Sequence, residues 1–169
     1  NVFFQFCPAP IIGITGSNGK TTTAHLTQEM LKNAGRPAIL GGNVGKSLIN
    51  ELDRINPGDV IVLELSSFQL ERLRWTKRSP DIALITNLTP NHLDRHKTME
   101  AYRNAKRAIL DYQAEDNIAV LNLEDREFGH WKNSAAGKVV TFSTKHHNAT
   151  GARLRGDLLE LIKDSESIG

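Results

Sequence analysis

Residues 13–22 read Gly13-Ile14-Thr15-Gly16-Ser17-Asn18-Gly19-Lys20-Thr21-Thr22. Glycines at a turn let backbone N–H groups close round phosphate oxygens, and the start of a helix adds partial positive charge. Lys20 is a point charge able to reach the outer phosphates of a nucleotide, and the Thr21 hydroxyl is placed for Mg2+. The strict phosphate-loop pattern has a glycine six residues before the lysine. Here that position is Ile14, and the glycines fall at Gly13 and Gly16. The loop is a variant, so its chemistry depends on a strand before it and a helix after it. The alternative is a glycine-rich turn that only caps a helix.

Glu64 lies in an otherwise apolar run, Val60 to Leu65. A carboxylate there is costly unless it is paired or holds a cation. With Thr21 it has the donor chemistry of a Mg2+ site, since magnesium takes a few oxygen ligands plus phosphates and water. The alternative is a strand-end glutamate facing solvent. Asn43 sits in Gly42-Asn43-Val44-Gly45, a composition that fits a tight turn as well as a ligand contact. His92 lies in Asn87-Leu-Thr-Pro-Asn-His-Leu-Asp-Arg95, where an imidazole suits a metal or a substrate oxygen but is also ordinary loop chemistry. Cys7, His25 and His96 show no partner pattern, and His146-His147 reads as surface rather than a metal site.

Residues 98–112 form the clearest helical pattern, with Thr98 as N-cap. At about 100° per residue, Lys106 falls between Tyr102 and Met99, the one charged side chain inside the apolar arc. Such a lysine either snorkels to the surface or sits partly desolvated. Desolvation lowers its pKa and frees the amine, for instance to react with carbon dioxide and become a carbamate anion.

The elements that must position these groups are short and apolar. The runs 11–15, 60–65, 82–86, 118–121 and 139–142 are continuous rather than alternating, as strands are when both faces are covered. A weaker run is Ala38-Ile39-Leu40. Helical patterns fall between them: 21–34, with Leu26, Met30 and Ala34 on one stripe and Gly35 as its stop, then 45–52, 98–112 and 124–132. Strand and helix alternate, so the expected fold is α/β, a mostly parallel sheet flanked by helices. Residues 152–161 add a small hairpin about Gly156-Asp157, and the stretch from Lys163 reads as a polar end that closes nothing. In a parallel sheet, ligands sit outside the carboxyl ends of the strands, where the loops holding Lys20, Asn43, Ser66 and His92 all fall.

The chain's 169 residues, 39% hydrophobic and 24% charged with net charge +2, suit one globular domain. That balance is unlike an electrostatic nucleic-acid binder. The single cysteine, Cys7, excludes a disulfide framework and a multi-cysteine zinc site. No apolar run approaches the roughly 20 residues of a bilayer-spanning helix. The apolar start is broken by Pro8 and Pro10 with no basic segment, so no signal peptide is read and the cytoplasm is the expected location.

Taken together, the phosphate loop, Gly42-Asn-Val-Gly45, Leu63-Glu-Leu-Ser-Ser-Phe-Gln-Leu70, residues 87–95 and Tyr102-Arg-Asn-Ala-Lys106 resemble the Mur ligases, the ATP-dependent amide-forming enzymes of peptidoglycan precursor synthesis. The segment after Glu64 is similar to that of the member adding D-glutamate. The resemblance implies that Gly16, Ser17, Asn18, Gly19, Lys20, Thr21, Thr22 and Asn43 bind ATP. It implies that Asn43, Ser66 and His92 face the muramoyl substrate. Thr21, Glu64, His92 and a carbamylated Lys106 would hold two Mg2+ ions, and Lys20, Glu64, His92 and Lys106 would serve catalysis. Asn91 stands where the family often has an acidic residue. Implied partners are UDP-N-acetylmuramoyl-L-alanine and D-glutamate, with no nucleic acid or membrane, and a monomer when complete. Residues 1–169 then read as an incomplete central ATPase domain, without the family's uridine-nucleotide domain, its C-terminal domain or its Gly-Arg-His-Asn segment, and with little turnover alone. Competing readings are a sister Mur ligase, a folylpolyglutamate synthase, or a phosphate-loop switch that hydrolyses ATP without a muramoyl substrate.

Overall fold

The computed structural model describes residues 2–45, 47–145, 150–164 and 166–167, so His146-His147 lies outside the described residues. Every apolar run forms a strand: β1 (Ile11–Thr15), β2 (Ala38–Gly42), β3 (Val60–Glu64), β4 (Ile82–Ile85), β5 (Ile118–Asn122) and β6 (Lys138–Ser143). The hairpin follows as β7 (Gly151–Arg155) and β8 (Leu158–Lys163), paired antiparallel. Among the described residues the strands make one sheet of order β2-β3-β1-β4-β5-β6-β7-β8, ending in a short β9 (Glu166–Ser167). The polar end therefore pairs with the sheet edge, contrary to the expectation that it closes nothing.

β1 to β7 run parallel to one another. All five residues of β3 are buried, which is why its sequence is apolar without alternation. From β1 the chain crosses to one edge, and from β3 it crosses back past β1 to β4. That reversal opens a crevice outside the carboxyl ends of β1 and β3.

The helices are α1 (Val2–Phe6), α2 (Lys20–Asn33), α3 (Ser67–Leu70), α4 (Leu93–His96), α5 (Met99–Arg107) and α6 (Phe128–Ser134). α2 does not bury the stripe its pattern suggests: Leu26 is 58% and Met30 70% exposed. Its sheet-facing line is Ala24, Gln28 and Leu31 instead. Ala24 and Leu31 pack with Ile14 and Val62, and Gln28 Nε2 donates to the Ala38 carbonyl at 3.0 Å. A polar hook on β2 occupies the place where periodicity looks for a hydrophobe.

The 45–52 pattern becomes a 3-10 helix at Leu48–Arg54, held where Leu48 packs directly on the bare backbone of Gly41. α5 begins as expected, with the Thr98 hydroxyl accepting from the Ala101 N–H at 3.0 Å, but stops at Arg107. There the Ser79 hydroxyl donates to the Ala108 carbonyl and accepts from the Tyr112 N–H, turning the chain out of the helix. The 124–132 pattern settles as α6, anchored by a fully buried Trp131. No described helix is long and apolar enough to cross a membrane.

Candidate functional site

The loop between β1 and α2 is strapped to the exit of β4. Gly16 has φ +151, and a Cβ there would fall 1.8 Å from Thr86 Oγ1, so only glycine lets the two segments meet. Thr86 Oγ1 donates to the Asn18 carbonyl at 2.7 Å, and Asn87 Nδ2 donates to the same oxygen at 3.1 Å. In return the Asn18 N–H donates to Asn87 Oδ1 at 3.0 Å, and the Ser17 N–H to the Asn87 carbonyl at 2.9 Å. Ser17 Oγ donates to the Thr89 carbonyl and accepts from the Thr89 N–H, which leaves the Tyr102 hydroxyl as donor to it at 3.3 Å. The cradle is thus built before any ligand arrives. α2 starts at Gly19 (φ +80) with no side-chain cap, so its leading N–H groups are left for an anion. Lys20 Nζ folds back onto the Ser17 carbonyl at 3.0 Å.

At the next strand end, Glu64 is 2% exposed. Its Oε2 accepts from the Thr21 hydroxyl at 2.7 Å and its Oε1 from Asn43 Nδ2 at 2.9 Å. The Asn43 N–H also donates to the Glu64 carbonyl at 2.8 Å. Gly42, with φ +98, admits that approach, since a Cβ would lie 2.1 Å from the same oxygen. The exits of β1, β2 and β3 therefore converge on one carboxylate.

Lys106 does not snorkel: it is 1% exposed. Its Nζ donates to the Gly16 carbonyl at 2.8 Å and Thr15 Oγ1 at 3.3 Å, and sits 4.8 Å from the centre of the Tyr102 ring. Burial, assisted by the charge of Lys20, pushes its pKa down to about 7. His92 is exposed, with φ +53 just ahead of α4. Its ring meets Phe68 edge-on at 5.4 Å and Tyr102 at 6.3 Å, and its N–H donates to Asn91 Oδ1 at 2.8 Å. Ser66 caps α3, its hydroxyl and N–H both engaged with Gln69. An open depression of about 450 Å3, lined by Gly19, Thr23, Asn87, Asn122 and Phe142, adjoins the phosphate loop.

Residues 14–167 match a family described as the Mur ligase middle domain. The chain belongs to the Mur ligases. It is 45% identical over 166 residues to the UDP-N-acetylmuramoylalanine–D-glutamate ligase of Acetivibrio thermocellus, covering 98% of this chain and 35% of that relative. The chain thus spans about a third of the length of the curated relatives it matches. Among solved structures, UDP-N-acetylmuramoyl-L-alanyl-D-glutamate–2,6-diaminopimelate ligase superposes with TM-score 0.75 at 26% identity, over 95% of this chain and 38% of that one. MurF ligase from Thermotoga maritima, solved with ADP, shares the fold at TM-score 0.67 and 22% identity, over 96% of this chain and 40% of that one.

In this Mur ligase domain, Thr21, Asn43 and Glu64 meet in one hydrogen-bonded corner, Lys20 stands beside Thr21 with its amine on the Ser17 carbonyl, and Lys106 lies directly beneath the loop. His92 makes no hydrogen bond to Glu64; it joins the rim through Phe68 and Tyr102. Among the described residues no three His, Cys, Asp or Glu side chains gather as a metal cage. The donor set is instead a hydroxyl and a carboxylate at a phosphate loop, which fits a cation carried in with a nucleotide. Sequence patterns assign no role to Thr86, the last residue of the 82–86 run, or to Asn87 and Tyr102, which enter as the first residues of longer motifs.

The tight contact at Gly16 makes a direct prediction. Gly16→Ala forces Thr86 away and opens the strap, so the variant folds but holds an anion at the α2 terminus, probed with ADP, at least about tenfold more weakly, as removal of a supporting contact does. Calorimetric titration checks this, and unchanged affinity would show the strap to be irrelevant to the cradle.

Proposed function

We propose that the protein carrying this domain is an ATP-dependent amide ligase that joins D-glutamate to UDP-N-acetylmuramoyl-L-alanine, and that residues 14–22, 43, 64 and 92 form its ATP and Mg2+ edge. The observation that carries this reading is the Thr21–Glu64–Asn43 corner at the mouth of a strapped phosphate loop. The 45% identity to a D-glutamate ligase supports the choice of amino acid.

The reaction begins between two anions. A carboxylate oxygen of the alanyl group attacks the γ-phosphorus, the bond to the β-γ bridging oxygen breaks, and ADP leaves. The amine of D-glutamate then attacks the acyl phosphate. Phosphate departs with the C–O bond, the nitrogen loses a proton, and the amide remains. With the Ser17 and Asn18 N–H groups spent on Asn87, the backbone N–H groups of residues 19–22, at the α2 terminus, hold the phosphates. Lys20 swings from the Ser17 carbonyl to the transferred phosphoryl and offsets its charge. Thr21 and Glu64 would hold Mg2+, which when bound screens the phosphate oxygens. Asn43 orients the Glu64 carboxylate. No protein nucleophile takes part.

Lys106 suits carbamylation. With a pKa near 7 a large share is free amine at neutral pH. Its nitrogen attacks CO2 and releases a proton, and the product keeps one N–H to donate to the Gly16 carbonyl. The new anion would face the charge of Lys20 favourably and supply oxygen ligands for a second Mg2+. Native mass spectrometry with and without bicarbonate reads the added CO2.

The deciding assay is amide formation by the full-length protein, with D-glutamate exchanged for other amino acids. D-glutamate alone should support turnover. Preference for another amino acid favours a sister Mur ligase, glutamylation of a folate favours a folylpolyglutamate synthase, and ATP hydrolysis indifferent to the muramoyl substrate favours a switch. The isolated chain should show little turnover. The reaction's need for ATP and a nucleotide-linked substrate supports a cytoplasmic location.

A further inference from the structure

His96 lies outside every group assigned above, yet it is only 7% exposed and touches three segments of the rim. Its Nε2 is 2.9 Å from Ser67 Oγ at the start of α3, and its Nδ1 is 3.5 Å from Glu71 Oε1. Its ring stacks on Phe68 at 5.4 Å and 10°, and tilts against Tyr102 at 5.1 Å. Phe68 in turn holds the His92 ring at 5.4 Å and lies under the Arg95 guanidinium at 4.6 Å. Tyr102 reaches Ser17 of the phosphate loop and faces Lys106.

The polar contacts match one neutral tautomer. A carboxylate cannot donate, so a neutral ring with its proton on Nδ1 faces Glu71 favourably and leaves Nε2 to accept from the Ser67 hydroxyl. Burial lowers the pKa of His96, which favours this neutral form. Ser67 itself is buried, so no substrate reaches it as a nucleophile. What the arrangement does is tie α3, which follows Glu64, to α4, which begins after His92. His92 needs such a tie, because a non-glycine residue at φ +53 persists only where its surroundings hold it.

We propose that His96 is a positioning residue that, through Ser67 and Phe68, sets the place of the His92 imidazole at the substrate side of the site. This deepens the ligase reading and rests on it for the role of His92. The geometric part stands by itself: without the His96–Ser67 hydrogen bond, α4 is free to shift and His92 leaves Phe68.

Two measurements test it, with His96→Phe, which keeps ring volume but loses both polar contacts, with Ser67→Ala, and with His96→Gln, whose side-chain oxygen can still accept from Ser67. In the 169-residue chain, the nuclear Overhauser contact between the Phe68 and His92 rings should be present in wild type and His96→Gln and lost in His96→Phe and Ser67→Ala. In the full-length enzyme, His96→Phe should raise KM for the muramoyl substrate about tenfold, as loss of an orienting partner does, while KM for ATP stays within about twofold. His96→Gln should recover most of that loss. An undiminished ring contact in both His96→Phe and Ser67→Ala, or equal rises in the two KM values with a fallen Tm, would overturn the proposal. Should wild type form no amide, the proposed reaction fails, and the ring contact alone decides the role of His96.

Discussion

Lys20→Ala lowers ligase turnover of the full-length enzyme at least about a hundredfold, the scale of removing one preorganised charge or donor from a transition state. The domain itself stays folded. Lys20 is only partly buried, and the contact it loses is a single hydrogen bond to the Ser17 carbonyl, which water can replace. A stability change within about 0.5 kcal/mol is therefore expected. The two effects separate because the lysine is parked in the free domain and acts only when phosphate is present. Lys20→Arg should recover little, since a planar fork does not replace a compact charge inside a closed loop. The check is kcat beside a thermal melt for each variant. Turnover within about fivefold of wild type would mean that Lys20 does not touch the transferred phosphoryl, and the mechanism would lose its main electrostatic element.

Much of this architecture is legible because parallel strands leave a plain signal. β3 is buried on both faces, and its sequence is apolar up to the one residue, Glu64, that breaks the run at the rim. The same logic makes Lys106 visible: helical periodicity puts it among hydrophobes, and the structure finds it under the phosphate loop. Hydrophobic periodicity misleads where a helix faces the sheet through small or polar groups. α2 turns Ala24 and Gln28 inward and leaves Leu26 and Met30 in solvent. Nothing local distinguishes that choice, because it depends on the Ala38 carbonyl supplied by another segment.

The site divides along the same line. Lys20, Thr21, Asn43 and Glu64 are recognisable singly, since each breaks or follows an element in a chemically telling way. Their convergence rests on strand order, which brings β1, β2 and β3 side by side. His96 was invisible because its partners, Ser67 and Glu71, are 29 and 25 positions away, and a histidine in a polar stretch carries no mark of burial. Thr86 and Asn87 illustrate a third case: their side chains serve the backbone of residues 15–18, and no side-chain pattern announces that.

Lys106→Met separates stability from function through pH. The ordinary lysine pKa, 10.5, describes the unfolded chain, and the folded value is about 7. Between these limits the unfolded state carries the proton and the folded state does not, so this group makes the domain more stable as pH rises. Its penalty is full below pH 7 and disappears above about 10.5, with a slope approaching about 1.4 kcal/mol per pH unit. Methionine fills similar volume without a charge and gives up two hydrogen bonds, to Gly16 and Thr15, each worth about 1 kcal/mol. In CO2-free buffer the variant should therefore melt no lower than wild type at pH 6.5. Wild type should gain about 5 °C on the variant by pH 9, the equivalent of about 2 kcal/mol for a domain of this size. In the full-length enzyme the same substitution should reduce turnover at least about a hundredfold at every pH, because neither amine nor carbamate remains to support the second cation. Parallel melting curves would mean that the amine is hydrated in solution, and the argument for its reaction with CO2 would fall with them. Parallel curves with a retained hundredfold loss would instead leave Lys106 as a cation that steadies the Gly16 carbonyl.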